Sequence, residues 1–418
     1  MLRVLFNNES EKEIKLPSSK SVTHRIVILA SLNKGKTTIY NPLISEDTKI
    51  TIEALKSFGA EIEVLSDKIV VSKPIGKVHN QEIFLGNSGS SARFLIPLAS
   101  FLDKSITFSG SEELQKRPFS ELITILENHG ISIKSNNKTL PITIYPSLFQ
   151  NSDEIQIAKI PSSQIVTGLL FATLLQNSNS KIAFLDEIPS FPYLKMTIKM
   201  MKNLAINLDF EENRISIPKQ NINFNWNYTI ENDLSAASYW VAFALINQTK
   251  VTFRNCLLPS LQGDEKIFEI AEKIGGKVIV KKDSVEISGK IEKGLDFDCE
   301  NIPDIVPTLA VLGMFAPEKF VLRNVSRLKY KESDRISAII ENIILLGGKA
   351  EYLDENLIIF PQKNYFGNKI KTFKDHRIAM AFAIAGTKIP NVVIENPEVV
   401  EKSYPNFWLD FSNWEKVE

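Results

Sequence analysis

Lysine, arginine, serine and glycine gather at a few short stretches of the chain, and these residue types suit the holding of phosphate and carboxylate groups. Ser18-Ser19-Lys20-Ser21-Val22-Thr23-His24-Arg25 sets Lys20 and Arg25 beside a predicted helix start. Free backbone N–H groups and the positive dipole end already favour an anion there. Gly86-Asn87-Ser88-Gly89-Ser90-Ser91-Ala92-Arg93 precedes a second apolar helix, and Gly89 lets a ligand approach the backbone where a side chain would collide. Pro161-Ser162-Ser163-Gln164 offers neutral donors at a third helix start. Lys329-Tyr330-Lys331-Glu332-Ser333-Asp334-Arg335, Lys374-Asp375-His376-Arg377 and Lys402-Ser403-Tyr404-Pro405 supply further cations, and Asp304 stands in Ile302-Pro303-Asp304-Ile305-Val306-Pro307. Taken singly, each stretch also reads as a helix cap, a Gly/Ser turn or a solvated charge run. Their recurrence at one structural position favours a ligand set with several phosphates or carboxylates, because Arg binds these bidentately. Asp304 and Glu332 would be an acid/base pair held among the cations.

The elements that carry these residues form a repeat. An apolar helical segment followed by a short strand ending in Asn, Gly or Asp recurs at Thr23–Asn41, Ser91–Gly110, Ile165–Asp186, Ser235–Asn255, Ile305–Asn324 and Arg377–Asn396, about 70 residues apart. Inside five units a second, amphipathic helix ends at Gly59, Gly130, Gly275 or Gly347, or at Ala205 in the third, and passes into alternating residues that read as strand. Each unit is therefore β-α-β-α-β-β, with the sixth cut short by the chain end. Six such units exceed one core and suit two domains of three. The Asn-rich stretch Asn221–Asn227 is the candidate crossing, with a second near Leu16-Pro17-Ser18 that lets the first strand complete the other domain.

Composition excludes several classes. Lys plus Arg equals Asp plus Glu at 49 each, so no global charge points to nucleic acid or an anionic membrane. Cys256 and Cys299 stand far apart, outside disulfide or zinc spacing, and suit a reducing compartment; cytoplasm is expected. No secretion signal is expected at the N-terminus, and the longest apolar stretches, Ile165–Leu175 and Ile305–Ala316, fall well short of the roughly 20 residues that span a bilayer.

Taken in order along the whole chain, the motifs resemble those of the enolpyruvyl transferase family, on the branch that acts on shikimate 3-phosphate. The resemblance rests on Lys20–Arg25, Gly86–Arg93, Arg117-Pro118, Ser162-Ser163-Gln164, Asp304–Thr308, Lys331–Arg335, Asp375–Ala381 and Lys402–Pro405. It implies an α/β fold of the inside-out barrel type, with six β-α-β-α-β-β repeats, three per domain. The implied domains are 18–231, and 1–17 with 232–418, crossing near 17 and 230. Helix N-termini would face an interdomain cleft that closes on the substrates.

The implied reaction moves the enolpyruvyl group of phosphoenolpyruvate to the 5-hydroxyl of shikimate 3-phosphate, toward chorismate and aromatic amino acids, with no metal or organic cofactor. By motif, Lys20, Ser21, Arg25, Ser162, Ser163, Gln164, Ser190, Asp304 and Lys331 would bind shikimate 3-phosphate. Lys20, Asn87, Gly89, Arg117, Gln164, Arg335, Arg377 and Lys402 would bind phosphoenolpyruvate. Asp304 would be the base toward the 5-hydroxyl, and Glu332 with Lys20 would manage the proton on the methylene carbon; His376 and Tyr193 are auxiliary candidates. The family expectation is a monomer, with small molecules rather than nucleic acid or membrane as partners.

Phe94 departs from the family pattern, standing where many members have Pro, and Arg327-Leu328-Lys329-Tyr330 occupies the stretch where some relatives place an Asn. Two other readings compete. The enolpyruvyl transferase of UDP-N-acetylglucosamine typically carries a Cys in the loop before the Arg-Pro motif, and Phe101–Pro118 has none. A non-catalytic binding protein of the same fold would keep the cations and lose the acids, whereas Lys20, Asp304 and Glu332 are all present.

Overall fold

Each of the six apolar segments forms a helix, and five of them open on or just after a motif. In a computed structural model, which describes residues 1–6, 9–150 and 154–417, they are α1 Lys20–Leu32, α2 Gly89–Ala99, α3 Ser163–Thr173, α4 Leu234–Asn247, α5 Val306–Met314 and α6 His376–Gly386. All six are buried on nearly every face; most of their polar residues lie in the opening turns, and the turns that follow are largely apolar. Five start on a side-chain cap. Ser19, Ser88 and Ser162 cap α1 to α3, and Asp233 and Asp375 cap α4 and α6. Close packing needs small residues: a Cβ on Gly168 of α3 would lie 2.1 Å from the Arg93 carbonyl oxygen of α2.

Six four-stranded sheets surround these helices, all with one pattern of strand directions. In the sheet around α2, Glu82–Phe84 runs parallel to Ile106–Ser109, which pairs antiparallel with Thr139–Ile144, which pairs antiparallel with Ile133–Asn136. The second helix of each unit is the amphipathic one: Glu46–Ser57, Ser120–Asn128, Phe191–Asn203, Lys266–Lys273 and Arg335–Leu345, with a short Phe407–Phe411 in the sixth. Gly59, Gly130, Gly275 and Gly347 take φ of +100°, +83°, +112° and +79°, and Ala205 takes +56°, so every expected left-handed cap forms, the third at the cost of a strained Ala.

The chain divides into two compact units, Ser19–Ile230, and Met1–Ser18 with Glu231–Glu418. Two leading strands are exchanged. Glu11–Ile14 immediately precedes α1 yet pairs with Lys250–Arg254 after α4, and Trp226–Thr229 immediately precedes α4 yet pairs with Thr37–Tyr40 after α1. The Asn221–Asn227 stretch therefore lies inside the 19–230 unit, and the chain crosses just beyond the strand it feeds. The two crossing segments bond to each other: Asp233 N donates to Pro17 O at 2.8 Å, and Ser18 bridges Asn232. The sixth sheet is complete, because Leu2–Val4 lies between Val393–Ile394 and Trp414–Lys416 and supplies the strand that the chain end lacks. Among the described residues no helix is long and apolar enough to cross a membrane.

Candidate active site

The 19–230 unit gathers its site residues at the starts of α1, α2 and α3. Lys20 is the first residue of α1, buried, with Nζ 3.1 Å from Asp47 Oδ2. Arg25 lies one turn on, its Nε donating to Thr197 Oγ1 at 2.8 Å, Nη1 to Ser21 O at 2.8 Å and Nη2 to Tyr193 O at 3.4 Å. Burial pushes its guanidinium down to about 10. Its face also rests on the Phe94 ring, 5.1 Å from the centroid, and Phe94 meets Phe171 edge-on, so this departure from the family pattern is filled by core packing.

Two guanidiniums frame Gly89. Arg117 Nη2 donates to Asn87 Oδ1 at 2.6 Å, and Arg93 Nη1 reaches Gln164 Oε1 at 3.3 Å and Gly89 O at 3.4 Å. A Cβ at Gly89 would lie 2.5 Å from Arg117 Nη1 and 2.8 Å from Arg93 Nη1, so this glycine is required by the approach of two cations rather than by its backbone angle. Gln164 Nε2 donates to Ser90 Oγ at 2.8 Å. Ser162 accepts from Gln164 N at 3.3 Å, which makes it the α3 cap, and buried Ser163 follows it. Ser190 precedes the helix Phe191–Asn203 with a left-handed φ of 50°, and its carbonyl accepts from Tyr193 N at 3.1 Å.

The other unit holds a denser set around Arg335, which is fully buried. Arg335 Nε lies 2.8 Å from Asp375 Oδ2, Nη1 lies 3.1 Å from Asp304 Oδ1, and Nη2 pairs with Glu332. Arg377 Nη2 lies 2.8 Å from Asp304 Oδ2, Lys331 Nζ lies 3.8 Å from Asp304 Oδ1, and Lys402 Nζ lies 4.0 Å from Glu332 Oε1. Burial alone would raise the Asp304 carboxyl; Arg377, Lys331 and Arg335 outweigh it and hold the group well below the usual carboxylate range. Burial likewise pushes the Lys331 ammonium down to about 8 against the pull of Asp304. For Arg335 burial is overcome by Asp375, Glu332 and Asp304, and the guanidinium stays charged. His376 is fully buried, with Nδ1 3.8 Å from Asp375 Oδ1.

The sequence-predicted residues Asp304, Lys331, Glu332, Arg335, Arg377 and Lys402 thus join one ion network, with His376 beside Asp375. Several partners lay outside those predictions. Asp47 holds Lys20, Arg93 holds Gln164, and Asp375 both caps α6 through Arg377 N at 2.9 Å and binds Arg335. Asp375 had a signal in its place within the acid, imidazole and guanidinium run; Asp47, in Ser45-Glu46-Asp47-Thr48, reads only as helix-start chemistry. Tyr239, 1% exposed, has Arg377 and Arg335 as charged neighbours, and no local pattern marks it.

Two carboxylates fixed among cations that would otherwise grip anions, on six helices entered from sheets of one topology, define an enolpyruvyl transferase-like fold. The EPSP synthase of Acinetobacter baumannii superposes over 100% of this chain and 99% of its own, with a TM-score of 0.83 at 23% identity. The enolpyruvyl transferase NikO of Streptomyces tendae gives a TM-score of 0.75 over 98% of this chain and 96% of its own, at 14% identity. Within that class, the family model of EPSP synthase (3-phosphoshikimate 1-carboxyvinyltransferase) matches residues 7–411. A 3-phosphoshikimate 1-carboxyvinyltransferase of Clostridium novyi (strain NT) is 34% identical over 416 residues, covering 97% of this chain and 95% of that relative. The chain belongs to the EPSP synthase family.

Proposed function

We propose that the protein transfers the enolpyruvyl group of phosphoenolpyruvate to the 5-hydroxyl of shikimate 3-phosphate and releases inorganic phosphate. Family membership supports the substrates, and the observation that carries the chemistry is Asp304, ionised between Arg335 and Arg377 with Glu332 on the far side of Arg335. The 5-hydroxyl oxygen bonds to C2 of phosphoenolpyruvate as its proton passes to Asp304 and a proton is delivered to the methylene carbon. The tetrahedral adduct then breaks its bond to the phosphate oxygen, and loss of a methyl proton restores the double bond.

Lys20, Ser21, Arg25, Ser162, Ser163, Gln164 and Ser190, with Lys331 and Asp304, would hold shikimate 3-phosphate, Tyr193 adjoining Arg25. Lys20, Asn87, Gly89, Arg117, Gln164, Arg335, Arg377 and Lys402 would hold phosphoenolpyruvate. Glu332 and Lys20 would handle the carbon-bound proton, with His376 beside Asp375 as an auxiliary group. An Asp304 gripped by two arginines is a weak base; substrate anions that take over those arginines raise its proton affinity when the hydroxyl is present. The thiols have no place in this scheme, since burial pushes Cys256 up to about 12 and Cys299 further still. Action in the cytoplasm as a monomer completes the reading.

Phosphorus NMR of the purified protein with both substrates tests it. Inorganic phosphate should appear while phosphoenolpyruvate and shikimate 3-phosphate fall in equal amounts; persistence of shikimate 3-phosphate during phosphate release would rule the reaction out.

A further inference from the structure

His24 stands inside the Lys20–Arg25 motif, and the reaction scheme gives it no role. It lies one turn beyond Lys20 on α1, and both side chains meet the helix Glu46–Ser57, Lys20 at Asp47 and His24 one turn further on at Thr51. The contact has an ionic rung and a neutral one. From Thr51 a row of hydroxyls runs on to α2. Thr51 Oγ1 lies 2.8 Å from His24 Nδ1 and 2.7 Å from Ser91 Oγ, and Ser91 Oγ lies 2.7 Å from Ser88 Oγ. Ser88 caps α2, accepting from Ser91 N at 3.3 Å, and stands between Asn87 and Gly89.

All four side chains of the row are buried, at 1% exposure or less. Buried hydroxyls need partners, and each carries one proton and two lone pairs, so Thr51 and Ser91 each donate to one neighbour and accept from the other. Ser91 Oγ also reaches Asp47 O at 3.4 Å, which joins the two rungs. Further along α2 the Phe94 ring meets the His24 ring edge-on, with centroids 6.5 Å apart, so an apolar contact ties α2 to α1 as well.

We propose that His24 and Thr51 are positioning residues for phosphoenolpyruvate: the row His24–Thr51–Ser91–Ser88 holds the Asn87–Ser90 loop in register with Lys20. The inference rests on the reading of Lys20, Asn87 and Gly89 as phosphoenolpyruvate ligands. Asp47 fixes the Lys20 ammonium from the helix Glu46–Ser57, and the row fixes the start of α2 from the same helix. The cation and the loop therefore keep one spacing. A misplacement of about 1 Å at a binding group can cost about 10²-fold in rate. Cutting the row leaves Ser21, Arg25, Ser162 and Ser163 in place, so the loss should fall on phosphoenolpyruvate and spare shikimate 3-phosphate.

Steady-state kinetics with each substrate varied separately tests this. Thr51→Val removes the hydroxyl at nearly constant volume; KM for phosphoenolpyruvate should rise about tenfold while KM for shikimate 3-phosphate stays within about twofold. Thr51→Ser, which keeps the hydroxyl, should behave as wild type. His24→Leu should match Thr51→Val, and His24→Asn, whose amide sets a polar atom where Nδ1 stands, should stay near wild type. Ser91→Ala cuts the same row, so Thr51→Val combined with Ser91→Ala should be no worse than either alone, about tenfold rather than the ~100-fold of independent effects. A role in packing alone would raise both KM values together and add across the pair, and that result overturns the proposal. So does an unchanged KM for phosphoenolpyruvate in Thr51→Val and Ser91→Ala. Urea midpoints identify a variant that fails to fold; should Thr51→Val do so, Ser91→Ala and Thr51→Ser carry the same test. Absence of turnover by wild type with both substrates removes the proposed function and this inference with it.

Discussion

Asp304 is held by more cations than a free base would carry, and that fixes what its removal does. In Asp304→Ala the proton acceptor is lost while Arg335, Arg377 and Lys331 remain to grip anions, so turnover should fall by about 10²–10⁴ with both substrates still bound, as steady-state rates and calorimetry would show. The same pairing makes a pH prediction. The folded carboxyl lies below its unfolded value, so its contribution to stability is full above about pH 4 and is lost only as pH falls through the depressed folded value. Urea unfolding should show wild type more stable than Asp304→Ala at pH 7 and still so near pH 4. A difference already gone at pH 4 would mean that the arginines do not hold Asp304. Gly89→Ala tests the other unit: its Cβ must displace the tips of Arg117 and Arg93, which are flexible, so KM for phosphoenolpyruvate should rise about tenfold with little change in unfolding midpoint.

Helix starts are where the sequence was most readable. Caps, apolar runs and left-handed C-cap residues are local, so the positions of α1 to α6, the turns at Gly59, Gly130, Gly275 and Gly347, and even the Ala205 exception follow from neighbouring residues alone. Lys20, Arg25, Arg335 and Arg377 stood out for the same reason. Their contacts did not, because Asp47 meets Lys20 only when the two helices of one repeat pack, Asp375 meets Arg335 only when helices of different repeats pack, and a cap such as Asp375 looks the same whether or not an arginine sits on it. Asp375 therefore has two duties at the start of α6, capping the helix and neutralising Arg335 with both groups fully buried. Asp375→Ala should cost about 3–5 kcal/mol in urea unfolding, well above the ~1 kcal/mol of a lost cap. A loss near 1 kcal/mol would show that Glu332 and Asp304 neutralise Arg335 without it.

At the level of the whole chain, the repeat count and a first strand given over to the other domain were legible, and the exchange of Trp226–Thr229 was not. Nothing local distinguishes Trp226–Thr229 from the leading strands that stay with their own helices; the pairing shows that it and Glu11–Ile14 each join a sheet of the unit other than that of the helix they precede. The sixth repeat reads as cut short, and the strand it lacks lies at the opposite end of the chain, in Leu2–Val4. The crossing segments at 17–18 and 231–233 thereby join sheets as well as units. If both units serve one substrate pair, shikimate 3-phosphate at 100 times its Kd should raise the unfolding free energy by about 2.7 kcal/mol in wild type, and by much less in Arg25→Ala.

Phosphate release from phosphoenolpyruvate, followed in parallel with shikimate 3-phosphate and with UDP-N-acetylglucosamine, for wild type and for Asp304→Ala, bears on all of this most directly. The expected result is release by wild type with shikimate 3-phosphate alone, lost in Asp304→Ala although the ligand still binds. Release with the sugar nucleotide instead, or a near-normal rate in the variant, would contradict either the acceptor or the base.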